Sequence, residues 1–314
     1  MAELIIVFRE VLEATLIVGI LYTYLDKIGQ SGAIVRLWQG VIVALAASLV
    51  GSILFYKFAG GFDGRSGKIF EGIVMIVAAG ILGTMIIWMA KNSNIAGELE
   101  KKASQALKSD ELGYGIFALA FISVFREGIE TILFLYGVTM QKGGLSTPLS
   151  FIGAGLGISV GYMIFIQGKK VPLKTFFNIS SGVLIFVAAG MLTYGVHELE
   201  SANIIPYYGG EVVIENDKAF AKRINGDTKV FDLSVKGNTD KEILSAKKWA
   251  SRVFDLNPPK NQDGSYPIFH DKGAIGGLLK GLFGYNGDPG GIELLVWFCS
   301  IFGMNFMWRR FSSV

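Results

Sequence analysis

The chain is poor in the residues that most metalloproteins and enzymes depend on. Its 314 residues include one cysteine, Cys299, two histidines, His197 and His270, and seven prolines. A single cysteine excludes an internal disulfide framework and a thiolate metal cluster, and Cys299, set in an apolar run, is expected to be a small buried apolar residue. The histidines are too few and too scattered for a two-histidine zinc helix: His197-Glu198-Leu199-Glu200 lacks the second imidazole four residues on. Neither that motif nor a nucleophile elbow of the Gly-x-Ser-x-Gly kind is read here, so an enzyme is not expected. The N-terminus lacks the basic region of a secretory leader and carries Arg9, Glu10 and Glu13 inside its apolar run, so it is expected to be a span rather than a cleaved signal. A formal net charge of +3 carries no nucleic-acid signal; it bears instead on how basic residues divide across a membrane.

What is abundant is apolar sequence. Hydrophobic residues make up 51%, the mean hydropathy is +0.48, and 41 glycines suit closely packed helices in lipid. Seven stretches are long enough to cross about 30 Å of hydrocarbon: roughly 4–25, 36–58, 69–90, 114–138, 149–167, 175–197 and 291–308. The expected fold is all-α integral membrane, with seven transmembrane helices and an extracytoplasmic insertion. With the N-terminus outside, the inner connections hold eleven basic residues, Lys27 and Arg36 among them, against four in the short outer connections, as the positive-inside rule requires. The long segment 198–290 then lies outside and the C-terminus in the cytoplasm. Its polar part, 211–272, contains strand-like Val212-Val213-Ile214; the Gly-rich piece 273–283 is too short to span and reads as an interfacial or re-entrant helix packed on the outer face.

The chain repeats itself. Phe8-Arg9-Glu10-Val11-Leu12-Glu13 in the first stretch returns as Phe125-Arg126-Glu127-Gly128-Ile129-Glu130 in the fourth, and Val77-Ala78-Ala79-Gly80 in the third returns as Val187-Ala188-Ala189-Gly190 in the sixth. Three spans per half is odd, so the halves are inverted, an architecture that places transport sites near the midplane. The expected units are 1–91 (first three-helix repeat), 92–112 (cytoplasmic amphipathic connector), 113–197 (second repeat), 198–290 (outer subdomain with the short helix) and 291–314 (seventh helix and cytoplasmic tail).

Six charged groups in two membrane helices each cost at least about 2.5 kcal/mol on insertion scales and need a reason. Within each motif the glutamates are spaced i, i+3 and the arginine is i, i+4 from the second, so all three can face one way. Two such faces would gather Glu10, Glu13, Glu127 and Glu130 around one cavity, with Arg9 and Arg126 holding the sum at minus two. Hard oxygen ligands suit iron, manganese, magnesium or calcium and disfavour copper(I). The competing readings are Arg–Glu pairs that only fix packing, and snorkelling of Arg9 and Glu10 to the surface. Further out, Glu71, His197 and Glu198 could receive metal at the outer surface, while Asp63, Asp288 and Glu293 read as turn or cap residues.

At these residues the chain resembles the oxidase-dependent iron transporters, permeases marked by Arg-Glu-x-x-Glu in spans one and four; His197-Glu198-Leu199 and Gly276-Gly277-Leu278-Leu279-Lys280-Gly281-Leu282-Phe283-Gly284-Tyr285 extend the likeness. The resemblance implies a multi-pass protein of the cytoplasmic membrane that takes up iron made ferric by an extracytoplasmic partner, an oxidase or iron-binding protein. It makes Glu10, Glu13, Glu127 and Glu130 the iron ligands, Arg9 and Arg126 their organisers, and His197 and Glu198 receivers at the outer face. No permanently bound cofactor is implied: iron is the cargo. The polar stretch 211–272 is longer than the family's prokaryotic pattern. The alternatives are a carrier for manganese or lead, and, from other classes, a membrane scaffold or membrane enzyme; a homo-oligomer is compatible with each.

Overall fold

In the computed structural model the described residues are 2–91, 95–109, 114–142, 144, 146–165, 173–234, 239–261 and 264–312. Among them are ten helices, α1 (Ala2–Lys27), α2 (Ser31–Ala59), α3 (Gly64–Lys91), α4 (Ile95–Ser109), α5 (Tyr114–Lys142), α6 (Thr147–Phe165), α7 (Leu173–Ser201), α8 (Thr239–Ala250), α9 (Ala274–Phe283) and α10 (Gly291–Ser312), and three strands, β1 (Glu211–Glu215), β2 (Lys218–Lys222) and β3 (Thr228–Asp232). Five helices are long and apolar enough to cross a membrane: α2, α3, α6, α10 and the 178–201 part of α7. α1 and α5, 26 and 29 residues long, have the length as well, and differ in carrying the two charged motifs within apolar sequence.

The long helices pair as α1 with α6, α2 with α5 and α3 with α7; α1 also meets α5, and α10 lies against α7 and α3. Exchanging α1 with α5, α2 with α6 and α3 with α7 turns each of the first four pairings into one of the same four, and this is the exchange that the repeated motifs suggest. Small residues make the close approaches. Gly153, Gly157 and Gly161 recur every fourth residue on the buried side of α6, where they meet Leu4, Phe8, Val11 and Thr15 of α1. A Cβ at Gly153 would stand 2.6 Å from the Leu4 carbonyl oxygen, and one at Gly40 of α2 would stand 2.6 Å from the Phe117 carbonyl oxygen of α5. Since backbone, not a flexible side chain, stands in the way, Gly153→Val is expected to lower stability by about 1–3 kcal/mol through overpacking, read as a lower thermal midpoint in detergent.

Two cores lie along the bundle. One joins Met75, Ala78 and Leu82 of α3 to Leu184, Val187, Ala188 and Met191 of α7 with Ile6 of α1; the other joins Leu21 and Leu25 of α1 to Leu37 and Ala44 of α2, Ala103 of α4, and Ile116 and Ala120 of α5. α4 thus docks by one apolar face, as its mixed-charge sequence suggests for a connector. The outward face of α2, with Ile42, Leu45, Leu49 and Ile53 exposed, is an apolar surface that suits lipid rather than water.

Cys299 departs from expectation: it is exposed. α10 packs by one side only, and Cys299 falls on its other side with Leu295, Phe298, Phe302 and Phe306. An apolar stretch is not by itself a buried one when the solvent is a bilayer.

The insertion folds as an antiparallel meander, β1-β2-β3, backed by α8. Along β2 the burial alternates with period two, so Ala219 and Ala221 face Ala246 and Ala250 of α8. Asn216 and Asp217, both at positive φ, close the β1–β2 hairpin in a two-residue loop that these side chains tolerate. The Gly-rich piece forms the short helix α9, which lies against α7, α5 and α1. It ends at Gly284 in the left-handed region (φ 65°), where a Cβ would stand 2.4 Å from the Cα of Gly190, and Trp297 Nε1 donates to the Phe283 carbonyl at 2.8 Å.

Candidate metal site

The site follows from helix periodicity and from the crossing of α1 and α5. Carboxylate oxygens of Glu10, Glu127 and Glu130 all lie within 4.8 Å of one another, and all three residues are buried. A hard first-row cation with oxygens at about 2.1 Å joins ligands up to about 4.2 Å apart, so closure needs shifts well under 1 Å each. Glu10 Oε2, Glu127 Oε2 and Glu130 Oε2 have no hydrogen-bond partner among the described residues. A buried carboxylate oxygen without a donor is costly, and three carboxylates that each have one, brought together from two helices, form a ligand set that a hard cation would satisfy.

The arginines of the two motifs differ. Arg9 is fully buried, with Nη1 3.1 Å from Glu10 Oε1 and Nη2 2.9 Å from Glu13 Oε1, and its guanidinium rests on the sulfurs of Met85 and Met89. It does not snorkel. Arg126 binds Glu127 through Nε and Nη2 and reaches Glu130 Oε1 at 3.5 Å, yet its side chain is 49% exposed and lies 6.0 Å from the Trp88 ring. Glu13 is buried and paired to Arg9 but stands outside the three-oxygen group. The four glutamates expected to act alike therefore divide by position: Glu10, Glu127 and Glu130 bring carboxylate oxygens within 4.8 Å of one another, and Glu13 stands apart, while Arg9 pairs with both Glu10 and Glu13.

The residues expected to receive metal do not share one site. Adjacent on α7, His197 and Glu198 diverge: His197 Nδ1 lies 2.7 Å from Glu293 Oε1 of α10, whereas Glu198 accepts from the Tyr194 hydroxyl and faces Glu71 of α3. Glu293, read from sequence as a cap, is 4% exposed and also accepts from Asn286 Nδ2 at 2.7 Å. Glu200, 1% exposed, lies beside Glu293. Its spacing of i, i+3 from His197 put both on one helix face, a signal that favoured Glu200 over Glu198 as the partner of His197.

Above this end of α7 lies a cavity of about 510 Å³, lined by both histidines, by Glu293 and by residues of the insertion, Lys248, Arg252 and Asp288 among them. Burial, reinforced by Arg252, pulls the Lys248 ammonium below the usual lysine range, and burial raises the Asp288 carboxyl despite Arg252 beside it. The letters of a nucleophile elbow do occur at Gly157-Ile158-Ser159-Val160-Gly161, contrary to expectation. They sit mid-helix in α6, where Ser159 Oγ donates to the Gly155 carbonyl at 2.7 Å, instead of on the strand-to-helix turn that exposes a catalytic serine.

A family model described as Iron permease FTR1 family matches residues 1–224. The chain is 28% identical over 297 residues to Ferrous iron permease EfeU of Escherichia coli O6:H1, covering 94% of this chain and 90% of that protein. It is 34% identical over 203 residues to Ferrous iron permease EfeU of Yersinia pestis, covering 64% and 72%. An uncharacterized protein of Archaeoglobus fulgidus is 28% identical over 296 residues, covering 94% and 90%. No solved structure matches significantly. The matched span runs from α1 through α7, both charged motifs included, and with its several membrane-length helices the chain belongs to the iron permease FTR1 family of multi-pass membrane transporters and is a permease, not an enzyme.

Proposed function

We propose that this permease moves iron inward across the cytoplasmic membrane through the carboxylates of Glu10, Glu127 and Glu130, with Glu13 taking part by exchange from Arg9. Seven helices, α1, α2, α3, α5, α6, α7 and α10, span the bilayer as two inverted three-helix halves plus one, with the N-terminus outside and the insertion extracytoplasmic. The observation that carries this reading is the convergence of the buried carboxylates of Glu10, Glu127 and Glu130 from the two motif helices, each of which also has one oxygen without a hydrogen-bond partner among the described residues.

The arginines hold the empty cluster near minus two; an arriving divalent or trivalent ion brings it to zero or plus one. That small excess lets the ion leave again, as conduction requires. Names of relatives favour ferrous iron at the mouth, while the all-oxygen ligand set suits the ferric ion; oxidation by an extracytoplasmic oxidase or iron-binding partner before passage reconciles the two. Iron is cargo throughout, and no resident cofactor is required.

The test is uptake of radioactive iron into vesicles holding the purified protein, supplied as ferrous iron, as ferric iron, or as ferrous iron with an oxidase outside. Accumulation above empty vesicles in any arm, reduced by at least tenfold in Glu10→Gln, is expected. Uptake of manganese or lead in preference to iron assigns a different cargo, and no uptake in any arm overturns passage through this cluster.

A further inference from the structure

The insertion carries a sheet edge that the passage just described does not use. β1 is the outermost of the three strands, and the elements that pack on it are β2 along one side and α8 on one face. Its other side is open among the described elements. Asn216 and Asp217 close the β1–β2 hairpin in two residues, so the flanking Glu215 and Lys218 form a hydrogen-bonded pair, and such pairs alternate along an antiparallel ladder. Val213 with Phe220 and Glu211 with Lys222 are the next ones, which leaves Val212 and Ile214 to turn their backbone groups outward. β1 has no proline, no lysine and no bulge to blunt that edge.

The register shows what would fit beside it. On the face turned away from α8, Val213, Phe220 and Val230 stand side by side across the sheet, 50%, 43% and 51% exposed. The rows on either side read Glu211, Lys222, Thr228 and Glu215, Lys218, Asp232. Both rows therefore alternate in charge from β2 to β1 and end at the open edge on a glutamate. A fourth strand continues all three rows when it presents a basic, an apolar and a basic side chain at alternate positions. Added antiparallel, it bonds to the backbone of Val212 and Ile214, so its side chains opposite Glu211, Val213 and Glu215 fall in the closer, non-hydrogen-bonded pairs. A second copy of the chain does not meet this pattern. β1 laid on β1 about Val213 sets glutamate against glutamate in either direction, and β3 laid on β1 sets Asp232 against a glutamate.

We infer that the open edge of β1 docks an extended segment of an extracytoplasmic partner protein, added as an antiparallel fourth strand with lysine or arginine two residues to each side of an apolar residue. Main-chain bonds to Val212 and Ile214 hold the segment, and Glu211 and Glu215 select it. The inference rests on the permease reading only for the side of the membrane on which the partner is met.

The probe is a fluorescein-labelled peptide, Thr-Lys-Thr-Val-Thr-Lys-Thr, titrated with the purified full chain and read by fluorescence anisotropy, with Thr-Glu-Thr-Val-Thr-Glu-Thr as its counterpart. Saturable binding of the basic peptide is expected, roughly tenfold tighter than that of the acidic one, because two cross-strand charge pairs change sign between them. Glu211→Lys combined with Glu215→Lys reverses the preference. Ile214→Pro removes an outward N–H that β2 does not use, and abolishes binding at an unchanged thermal midpoint. Should that variant unfold, the charge-reversed chain still decides. No binding of the basic peptide, equal affinity for the two peptides, or wild-type binding in Ile214→Pro overturns the docking site. So does an oligomer, seen by light scattering, that Ile214→Pro dissociates, since a second copy then occupies the edge. Iron uptake into vesicles without a partner stays at the wild-type level in both variants. A wild-type chain that binds the basic peptide but takes up no iron keeps this edge while the passage proposed above fails.

Discussion

Glu127→Gln is expected to cut iron uptake by roughly two orders of magnitude while the protein reaches the membrane at near wild-type levels. Changes to groups that merely support metal ligands cost about 10- to 100-fold in affinity, and loss of a ligand should cost at least as much. The substitution is nearly isosteric, and the amide oxygen still accepts from Arg126, so the α5 backbone has no reason to move. What disappears is one negative charge and one carboxylate oxygen from the group that Glu127 forms with Glu10 and Glu130. Radioactive iron uptake normalised to protein in the membrane reads the effect. Wild-type uptake in this variant would remove the central cluster from the path.

Arg9→Met is expected to be far more damaging to the fold than Arg126→Met, although the two arginines occupy the same place in their motifs. Removal of Arg9 leaves Glu10 and Glu13 buried without their partner, and breaking a buried pair from one side costs about 3–5 kcal/mol. Arg126 is half exposed, so less is buried with it, although its loss also leaves Glu127, 3% exposed, without its partner. The prediction is a large fall in thermal midpoint and folded yield in detergent for Arg9→Met, with a smaller one for Arg126→Met. Adding Glu13→Gln to Arg9→Met restores the motif's net charge of minus one and should recover most of the stability without restoring transport. Equal losses in the two single variants would mean that burial of the guanidinium is not what separates them.

Much of the candidate site could be read from the chain before any coordinates. The spacing of Arg9, Glu10 and Glu13, repeated at Arg126, Glu127 and Glu130, put three charges on one face of each helix, because 3.6 residues per turn fixes relative direction within a helix. The connector α4, strand β1 around Val212-Val213-Ile214 and the short Gly-rich helix were legible for the same reason: each is a local pattern of apolar period or of glycine. The divergence of His197 from Glu198 was legible too, since neighbours on a helix point about 100° apart, but the reading followed adjacency in sequence instead of position on the helix face.

What the chain by itself determined is the class of solvent it needs, the two charged faces, and hence the kind of ion they could hold, since all of these depend on composition and on periodicity within one element. The tertiary structure decided the rest. It selected Glu10, Glu127 and Glu130 as the three that meet, buried Arg9 while leaving Arg126 half open, turned Cys299 outward, and joined Glu293 to His197 and Glu200 across two helices far apart in sequence. These depend on how α1 slides along α6 and how α7 sits against α10, and that register is set where backbones touch at Gly153, Gly157 and Gly284. No single helix carries that information, because a contact between helices is a property of both surfaces at once.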